Sequence, residues 1–202
     1  MSILILVRHG QSVYNLENRF TGNIDIGLTN FGEQEAHKAG EKLKNYKFDC
    51  AFTSTLKRAK ESLRIILEEI GQTSIKIVEN KALDERDYGS LQGLSKVETA
   101  KKFGTKQVEM WRRSFNVCPP DGESLEDTCK RVIPFYKQKI EPELKDNKNI
   151  LIVAHGNSLR ALVMFLEDIN KQNVCDLNIP TGIPRKYVFD ENWKILEVGY
   201  LQ

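Results

Sequence analysis

Ile3-Leu4-Ile5-Leu6-Val7-Arg8-His9-Gly10 and Ile150-Leu151-Ile152-Val153-Ala154-His155-Gly156 are the two stretches on which the reading of this sequence turns. Each is a short apolar run closing on His-Gly, and each reads as a buried strand. Four further β-rich runs predict strands at Cys50–Thr53, Ile75–Val78, Tyr187–Phe189 and Ile195–Val198. Helical patterns lie between most of them. One spans residues 29–43, with Ala36, Ala39 and Leu43 on one face. A second follows Ser54, with Ala59, Leu63, Ile66, Leu67 and Ile70 as its apolar stripe and Gly71 as its C-terminal stop. Ser124-Leu125-Glu126-Asp127 reads as the N-cap of a long helix reaching about Leu144, with a kink or break at Pro134. Asn157–Leu166 predicts a further helix. Strands alternating with helices imply an α/β three-layer sandwich: a mostly parallel central sheet with helices on both faces. The charged segment between Ala82 and Pro120 is expected to form a cap beside the sheet. Without repeats or linkers, residues 1–202 are expected to form a single domain.

The bulk numbers narrow the function. A formal net charge of +2 over 202 residues leaves no basic field for nucleic acid or a membrane surface. No segment approaches the roughly 20 apolar residues of a membrane span. The apolar opening is too short for a signal peptide and runs straight into Arg8, so a cytoplasmic protein is expected. Cys50, Cys118, Cys129 and Cys175 have no CxxC spacing and no neighbouring histidine, so isolated thiols are expected.

Chemistry concentrates at strand ends. Two of the three histidines, His9 and His155, follow predicted strands, where open α/β sheets bind ligands. If the strands are neighbours, both imidazoles enter one crevice, and Gly10 and Gly156 permit a sharp turn and close backbone approach to a ligand. His37, in a solvated helical stretch, receives no role. A neutral imidazole can attack phosphorus and form a phosphohistidine, which divides one displacement into two easier ones. Charge in that transition state spreads over the equatorial oxygens, so fixed donors matter. Arg8 and Arg58 suit phosphate because a guanidinium binds it as a bidentate fork. Taken alone, Arg58 reads better as a solvated first-turn side chain. Asp84-Glu85-Arg86-Asp87-Tyr88-Gly89 adds a carboxylate and a phenol, and Trp111-Arg112-Arg113-Ser114 adds two adjacent cations.

Arg8-His9-Gly10-Gln11-Ser12, the Phe20-Thr21-Gly22 to Leu28-Thr29 stretch and the segment Thr53 to Ala59 resemble the histidine phosphatase superfamily. Glu85 to Gly93, Trp111 to Ser114, Ala154 to Arg160 and Asn178 to Pro184 narrow the resemblance to the 2,3-bisphosphoglycerate-dependent phosphoglycerate mutases, in a short-loop form. It implies an enzyme interconverting 3-phosphoglycerate and 2-phosphoglycerate in glycolysis and gluconeogenesis, primed by 2,3-bisphosphoglycerate and needing no metal. His9 becomes the nucleophile, Glu85 the general acid/base, and His155 a stabiliser of the transferring phosphoryl group. Arg8, Asn15, Arg58 and the backbone of Gly156 and Asn157 line the phosphoryl pocket, with Gly10, Gln11, Ser12, Thr21 and Gly22 close by. Tyr88, Lys96, Arg112 and Arg113, with Arg86 beside them, hold the distal carboxylate or second phosphate. Arg8, Arg58, Lys96, Arg112 and Arg113 offer five positive charges to a ligand of roughly −4 to −5. The implied partners are small phosphoglycerates, with a second copy of the chain an open alternative.

Four positions depart from that family's usual pattern: Tyr14, Asn23, the short bridge Phe115–Gly122 and the end of the chain at Gln202. The bridge and the end imply fewer residues for closing the site and for subunit contacts. A phosphatase using the same phosphohistidine, with water as acceptor, is the nearest rival. A non-catalytic reader of phosphorylated ligands is disfavoured because His9, Glu85 and His155 are all present.

Overall fold

The computed structural model describes residues 1–201, so the end at Gln202 lies outside the described residues. Six strands form one sheet: β1 (Ser2–Arg8), β2 (Cys50–Thr53), β3 (Lys76–Glu79), β4 (Ile150–Ala154), β5 (Arg185–Phe189) and β6 (Ile195–Tyr200). Their order is β3-β2-β4-β1-β5-β6. The four strands from β3 to β1 run parallel, and β5 and β6 add an antiparallel edge. The expected mostly parallel α/β sandwich is therefore present. Edge position explains why β3 and β6 are largely exposed although they read as apolar runs, whereas β4 is buried throughout.

Pleating divides the central strands between two cores. Ile5, Val7, Leu151 and Val153 pack with Ala36, Ala39 and Leu43 of α2 (Asn30–Leu43) and Leu63, Ile66 and Leu67 of α3 (Lys57–Glu69). Leu4, Leu6, Ile152 and Ala154 face the other way, onto Leu125 and Val132 of α6 (Leu125–Phe135) and Leu159 and Leu162 of α8 (Gly156–Leu166). The cap holds two short helices, Lys96–Phe103 and Thr105–Arg113, which cover Phe20, Leu91, Val108 and Trp111.

Local chemistry sets the helix ends. Thr29 Oγ1 accepts the Gly32 amide at 3.0 Å to start α2, and Gly71 at φ +67° follows α3. Ser124 Oγ accepts the Asp127 amide at 3.0 Å, and the Asp127 carboxylate returns to the Ser124 amide at 3.2 Å. Pro134 does not end the long helix. The backbone continues through it, widens into a π-helical turn at Tyr136–Ile140, and resumes as Glu141–Lys145. A proline lacks the amide that would bond four residues back, and a wider turn is one way a helix accommodates that loss.

Gly10 has a different use from the expected sharp turn or ligand approach. Neither Gly10 nor Gly156 has positive φ. A Cβ on Gly10 would stand 2.0 Å from the Gly32 carbonyl oxygen, and one on Gly32 would stand 2.1 Å from the Gln11 carbonyl oxygen. The loop after β1 thus lies directly on the first turn of α2. Helix propensity favours alanine over glycine by at most about 1 kcal/mol. Overpacking against immobile backbone costs about 1–3 kcal/mol and displaces the loop that carries His9. Gly32→Ala should therefore lower unfolding stability, measured as a shift in urea midpoint at unchanged slope. A stabilised variant would show that this contact yields.

Candidate active site

The crevice is built where β1 and β4 end side by side. Arg8 pairs with Ala154 in the parallel register, and the His9 amide donates to the Ala154 carbonyl at 3.0 Å. That pairing puts the two imidazoles in contact, with ring centroids 4.9 Å apart at 59°. Both are buried, His9 at 2% exposure and His155 at 0%. His9 Nδ1 lies 2.6 Å from the Gly10 carbonyl, which only accepts, so Nδ1 carries the proton and Nε2 keeps its lone pair. Burial first, then the charges of Arg58 and Arg8, hold the His9 ring well below the ordinary imidazole value. His155 is depressed by burial and the same arginines; its Nε2 is held by Ser54 Oγ at 2.7 Å, and its Nδ1 has no partner.

Arg58 is not a solvated first-turn side chain. It is fully buried in α3, where Nη1 and Nη2 donate to the carbonyls of Ile24 and Gly22 at 3.0 and 2.8 Å. Burial lowers it to about 10, which leaves it cationic at neutral pH. Arg8 Nη1 donates to the Ile179 carbonyl at 2.9 Å. The Nε atoms of both arginines are buried without partners. Both guanidinium charges act on His9, whose ring packs against that of His155, so partnerless buried polar atoms gather beside it, an arrangement that suits a tetrahedral oxyanion.

Glu85 enters from the cap. Arg131 of α6 holds its backbone, donating to the carbonyls of Ala82, Asp84 and Glu85 while pairing with Glu123 through Nη2 at 2.9 Å. Asp84, next door, accepts the Thr55 amide at 2.8 Å, which ties this turn to the end of β2. Glu85 Oε1 accepts two amides, Arg86 at 2.8 Å and Asn157 at 3.0 Å. Burial raises its affinity for a proton, but those amides and the charges of Arg8 and Arg58 prevail, so the carboxyl titrates below its usual range. At neutral pH it is a carboxylate.

Of the sequence-derived site residues, Arg8, Asn15, Thr21, Gly22, Glu85, Tyr88, Lys96, Arg112, Arg113, Gly156 and Asn157 line the crevice. His9, His155 and Arg58 are buried and lie outside that lining. Gly10, Gln11 and Ser12 shape the loop instead. The Gly10 amide donates to Ser62 Oγ at 3.0 Å, Gln11 Oε1 accepts from Thr29 Oγ1 at 3.0 Å, and Ser12 caps the turn bearing Asn15. Arg86 lies under the crevice, fully buried, with Nη2 on the Tyr88 hydroxyl at 2.8 Å and its guanidinium 4.6 Å from that ring's centroid. His37 is on the surface, 3.2 Å from Glu69. Of the departures, Tyr14, Asn23 and the short bridge are not among the residues lining the crevice. Asn23 is bound through its amide to the Gln92 side chain, and Arg19 lies over the Tyr14 ring. The short bridge is strapped to the Tyr88 turn, with the Ser90 amide on the Pro120 carbonyl at 3.0 Å and the Glu123 amide on the Asp87 carbonyl at 2.9 Å.

Four lining residues were missed: Arg19, Phe20, Arg160 and Asn178. Arg160 and Asn178 stand within the runs 154–160 and 178–184, whose spacing alone assigns neither a role. With Arg58 behind the wall rather than on it, six cations line the crevice (Arg8, Arg19, Lys96, Arg112, Arg113 and Arg160) against the single carboxylate of Glu85. Such a site selects a multiply charged anion. No cluster of three metal-ligating side chains occurs among the described residues, nor any helix long and apolar enough to cross a membrane.

Residues 4–198 match the sequence profile of the histidine phosphatase superfamily (branch 1). A 2,3-bisphosphoglycerate-dependent phosphoglycerate mutase of Cytophaga hutchinsonii is 55% identical over all of this chain and 94% of its own length. A protein of the same name from Parvibaculum lavamentivorans is 50% identical, over 94% of this chain and 91% of its own. Among solved structures, the alpha-ribazole phosphatase of Shigella flexneri superposes with a TM-score of 0.85 over 99% of this chain and 96% of its own, at 21% identity. That last likeness is one of fold.

The histidine environment has a pH signature. A ring whose pKa is lowered stays neutral as pH falls through 6.5, so transfer of a phosphoryl group to His9 should stay level from pH 8 to below 6.5. Over the same interval the unfolded chain takes up protons that the folded site refuses, so stability should decline as pH drops below about 6.5. Phosphoenzyme formation rates and urea midpoints across this range test both. An inflection in labelling at 6.5 would mean that His9 is solvated like a free imidazole.

Proposed function

This chain belongs to the histidine phosphatase superfamily, among its phosphoglycerate mutases, and from that premise we propose that it interconverts 3-phosphoglycerate and 2-phosphoglycerate through a phosphohistidine on His9. The supporting observation is the set of partnerless buried polar atoms beside His9, adjoined by a second group of cations, Lys96, Arg112 and Arg113, next to Tyr88. One cluster suits the phosphoryl group in transfer; the other suits a second anion on the same small molecule. 2,3-Bisphosphoglycerate fits this double demand, and it supplies the phosphoryl group that first loads His9. A cytoplasmic setting accords with this role.

The residues divide the work in a balanced cycle. With His9 phosphorylated, the Glu85 carboxylate takes the proton from the free hydroxyl of 3-phosphoglycerate as that oxygen attacks phosphorus and the Nε2–P bond breaks. Arg8, Arg58 and His155 meet the charge on the equatorial oxygens, helped by the N-terminus of α8 at Gly156 and Asn157. In the return step His9 Nε2 attacks the phosphoryl group on the other oxygen. Glu85 returns its proton to that departing oxygen, leaving 2-phosphoglycerate and a reloaded His9. A carboxyl held ionised in the resting site is the starting state this order requires. The distal cations keep the glycerate in the crevice between steps, and they support a mutase over a phosphatase because water needs no second anion site.

Steady-state assays with 3-phosphoglycerate should show isomerisation that rises sharply with trace 2,3-bisphosphoglycerate and exceeds phosphate release. His9→Ala should abolish formation of an acid-labile, base-stable phosphoenzyme. Hydrolysis matching or outpacing isomerisation would transfer the reading to a phosphatase. Glu85→Gln should leave ligand binding in place and slow transfer by roughly 10²–10⁴-fold, the span of one acid/base group. Near-normal turnover in that variant would move the proton to another residue.

A further inference from the structure

The segment 178–184 runs beside the end of β1, and only Asn178 of it lines the crevice. Thr181 pairs with Arg8 in a single parallel bridge, and the Gly182 amide donates to the Arg8 carbonyl at 2.9 Å. The Ile179 carbonyl accepts Arg8 Nη1, also at 2.9 Å. This segment therefore holds Arg8 by its backbone and its guanidinium together. On the other side of His9, the Gln11 carbonyl accepts the Thr29 amide at 2.9 Å and the Thr29 hydroxyl at 3.2 Å. One side chain joins the two supports.

That side chain is Glu35, on the second turn of α2. Glu33 and Glu41 of the same helix are exposed, whereas Glu35 is half-buried. Its Oε2 accepts the Gln11 amide at 2.7 Å, and its Oε1 accepts the Thr181 hydroxyl at 2.5 Å. A backbone amide can only donate, and the hydroxyl here donates as well, so the position calls for two acceptors in one side chain. A carboxylate supplies both, and its charge strengthens each bond. The backbone closes on α2 from both flanks. A Cβ on Gly182, which has φ +63°, would stand 2.8 Å from the Glu35 Cβ, and one on Gly32 would stand 2.1 Å from the Gln11 carbonyl oxygen. Both segments thus lie directly on the helix, and the Glu35 carboxylate ties one to the other.

We propose that Glu35 is a positioning residue for phosphoryl transfer, tying Gln11 to Thr181 and so fixing Arg8 and His9, which lie between those ties, in their reacting geometry. This rests on the phosphohistidine reading of His9. Glu35 is not among the residues lining the crevice, so it acts through the segments it holds. Displacement at phosphorus is sensitive to such placement, because a shift of about 1 Å in a reacting group can cost roughly 10²-fold in rate.

The test has two readouts on the whole protein. One is the single-turnover rate of His9 labelling by 2,3-bisphosphoglycerate across a range of concentrations. The other is equilibrium binding of vanadate, which imitates the phosphoryl group in flight. Glu35→Ala should slow labelling at saturation by roughly 10- to 100-fold and weaken vanadate by a similar factor. The half-saturating concentration of 2,3-bisphosphoglycerate should change by less than about threefold, because the distal cations still hold it. Glu35→Gln offers an oxygen to the Gln11 amide and an NH₂ to the Thr181 hydroxyl, which can turn to accept, and should recover most of the rate. Thr181→Val should slow labelling alone but add little to Glu35→Ala. Thermal midpoints report whether each variant is folded. If the alanine variant does not fold, Thr181→Val, which removes one of the two ties, decides by the same readouts. A lowered midpoint with labelling unchanged at saturation would make Glu35 merely structural and overturn the proposal. A glutamine variant as slow as the alanine one would also overturn it, as would Thr181→Val and Glu35→Ala effects that simply add. Wild-type protein that fails to label on His9 would sink the mutase reading. The vanadate affinities still decide Glu35 in that case, since equal values for wild type and variants reject it.

Discussion

The parallel pairing of β1 with β4, continued by the bond from the His9 amide to the Ala154 carbonyl, is the constraint from which the site follows. In parallel strands the side-chain alternation is locked to register, so a slip of one residue would turn His9 toward a core face. Here the register aligns Arg8 with Ala154, and the next residue on each strand is a histidine. The buried faces enforce this alignment. Ile5, Val7, Leu151 and Val153 fill one core, and Leu4, Leu6, Ile150 and Ile152 the other, so a one-residue shift would exchange the contents of both.

Around that pair, electrostatics and burial act together. Removing the imidazoles from water favours their neutral form, and the arginines beside them reinforce it. Those arginines remain charged because backbone carbonyls of Gly22, Ile24 and Ile179 solvate part of each guanidinium. Carbonyl oxygens do this without neutralising the charge, whereas carboxylates would cancel the field needed by an incoming anion. Arg113 and Arg160 are held in the same way by Cys175 and Leu177. Apart from Glu85, the site's carboxylates are kept to a supporting position, as at Glu123, which anchors Arg131 behind Glu85. Six cations facing the crevice against one carboxylate are the organisation that suits it to an anion.

Two glycines show how packing constrains the same region. Gly10 and Gly32 bring the loop after β1 into backbone contact with α2, and the chain then carries Asn15, Thr21 and Gly22 around the crevice. Tyr88 and the turn beneath it are held from the opposite side by the short bridge at Pro120 and Glu123. The bridge is thus a brace for the cap, with the carbonyls of Phe115, Pro119 and Pro120 already paired.

The strands, the helix caps and the two His-Gly ends were legible in the sequence because each depends on local pattern: apolar runs, a Ser or Thr before a helix, a polar residue after a strand. Motif resemblance extended this to Glu85 and the paired arginines. Burial of Arg58, removal of Gln11 and Ser12 from the crevice wall, and entry of Arg160 and Asn178 into it were decided by tertiary contacts. Arg58 reads as solvated until Gly22 and Ile24 fold over it, and Gly10 reads as a ligand-facing hinge until α2 occupies the space. Arg160 reads as one polar side chain in an apolar helix until the carbonyls of Leu177 and Asn157 orient it. Local sequence determines which residue types stand at strand and helix ends, because those preferences act within a few residues. Which side chains share a solvent-free space depends on segments far apart in the chain, and only the packed sheet brings them within reach of one another.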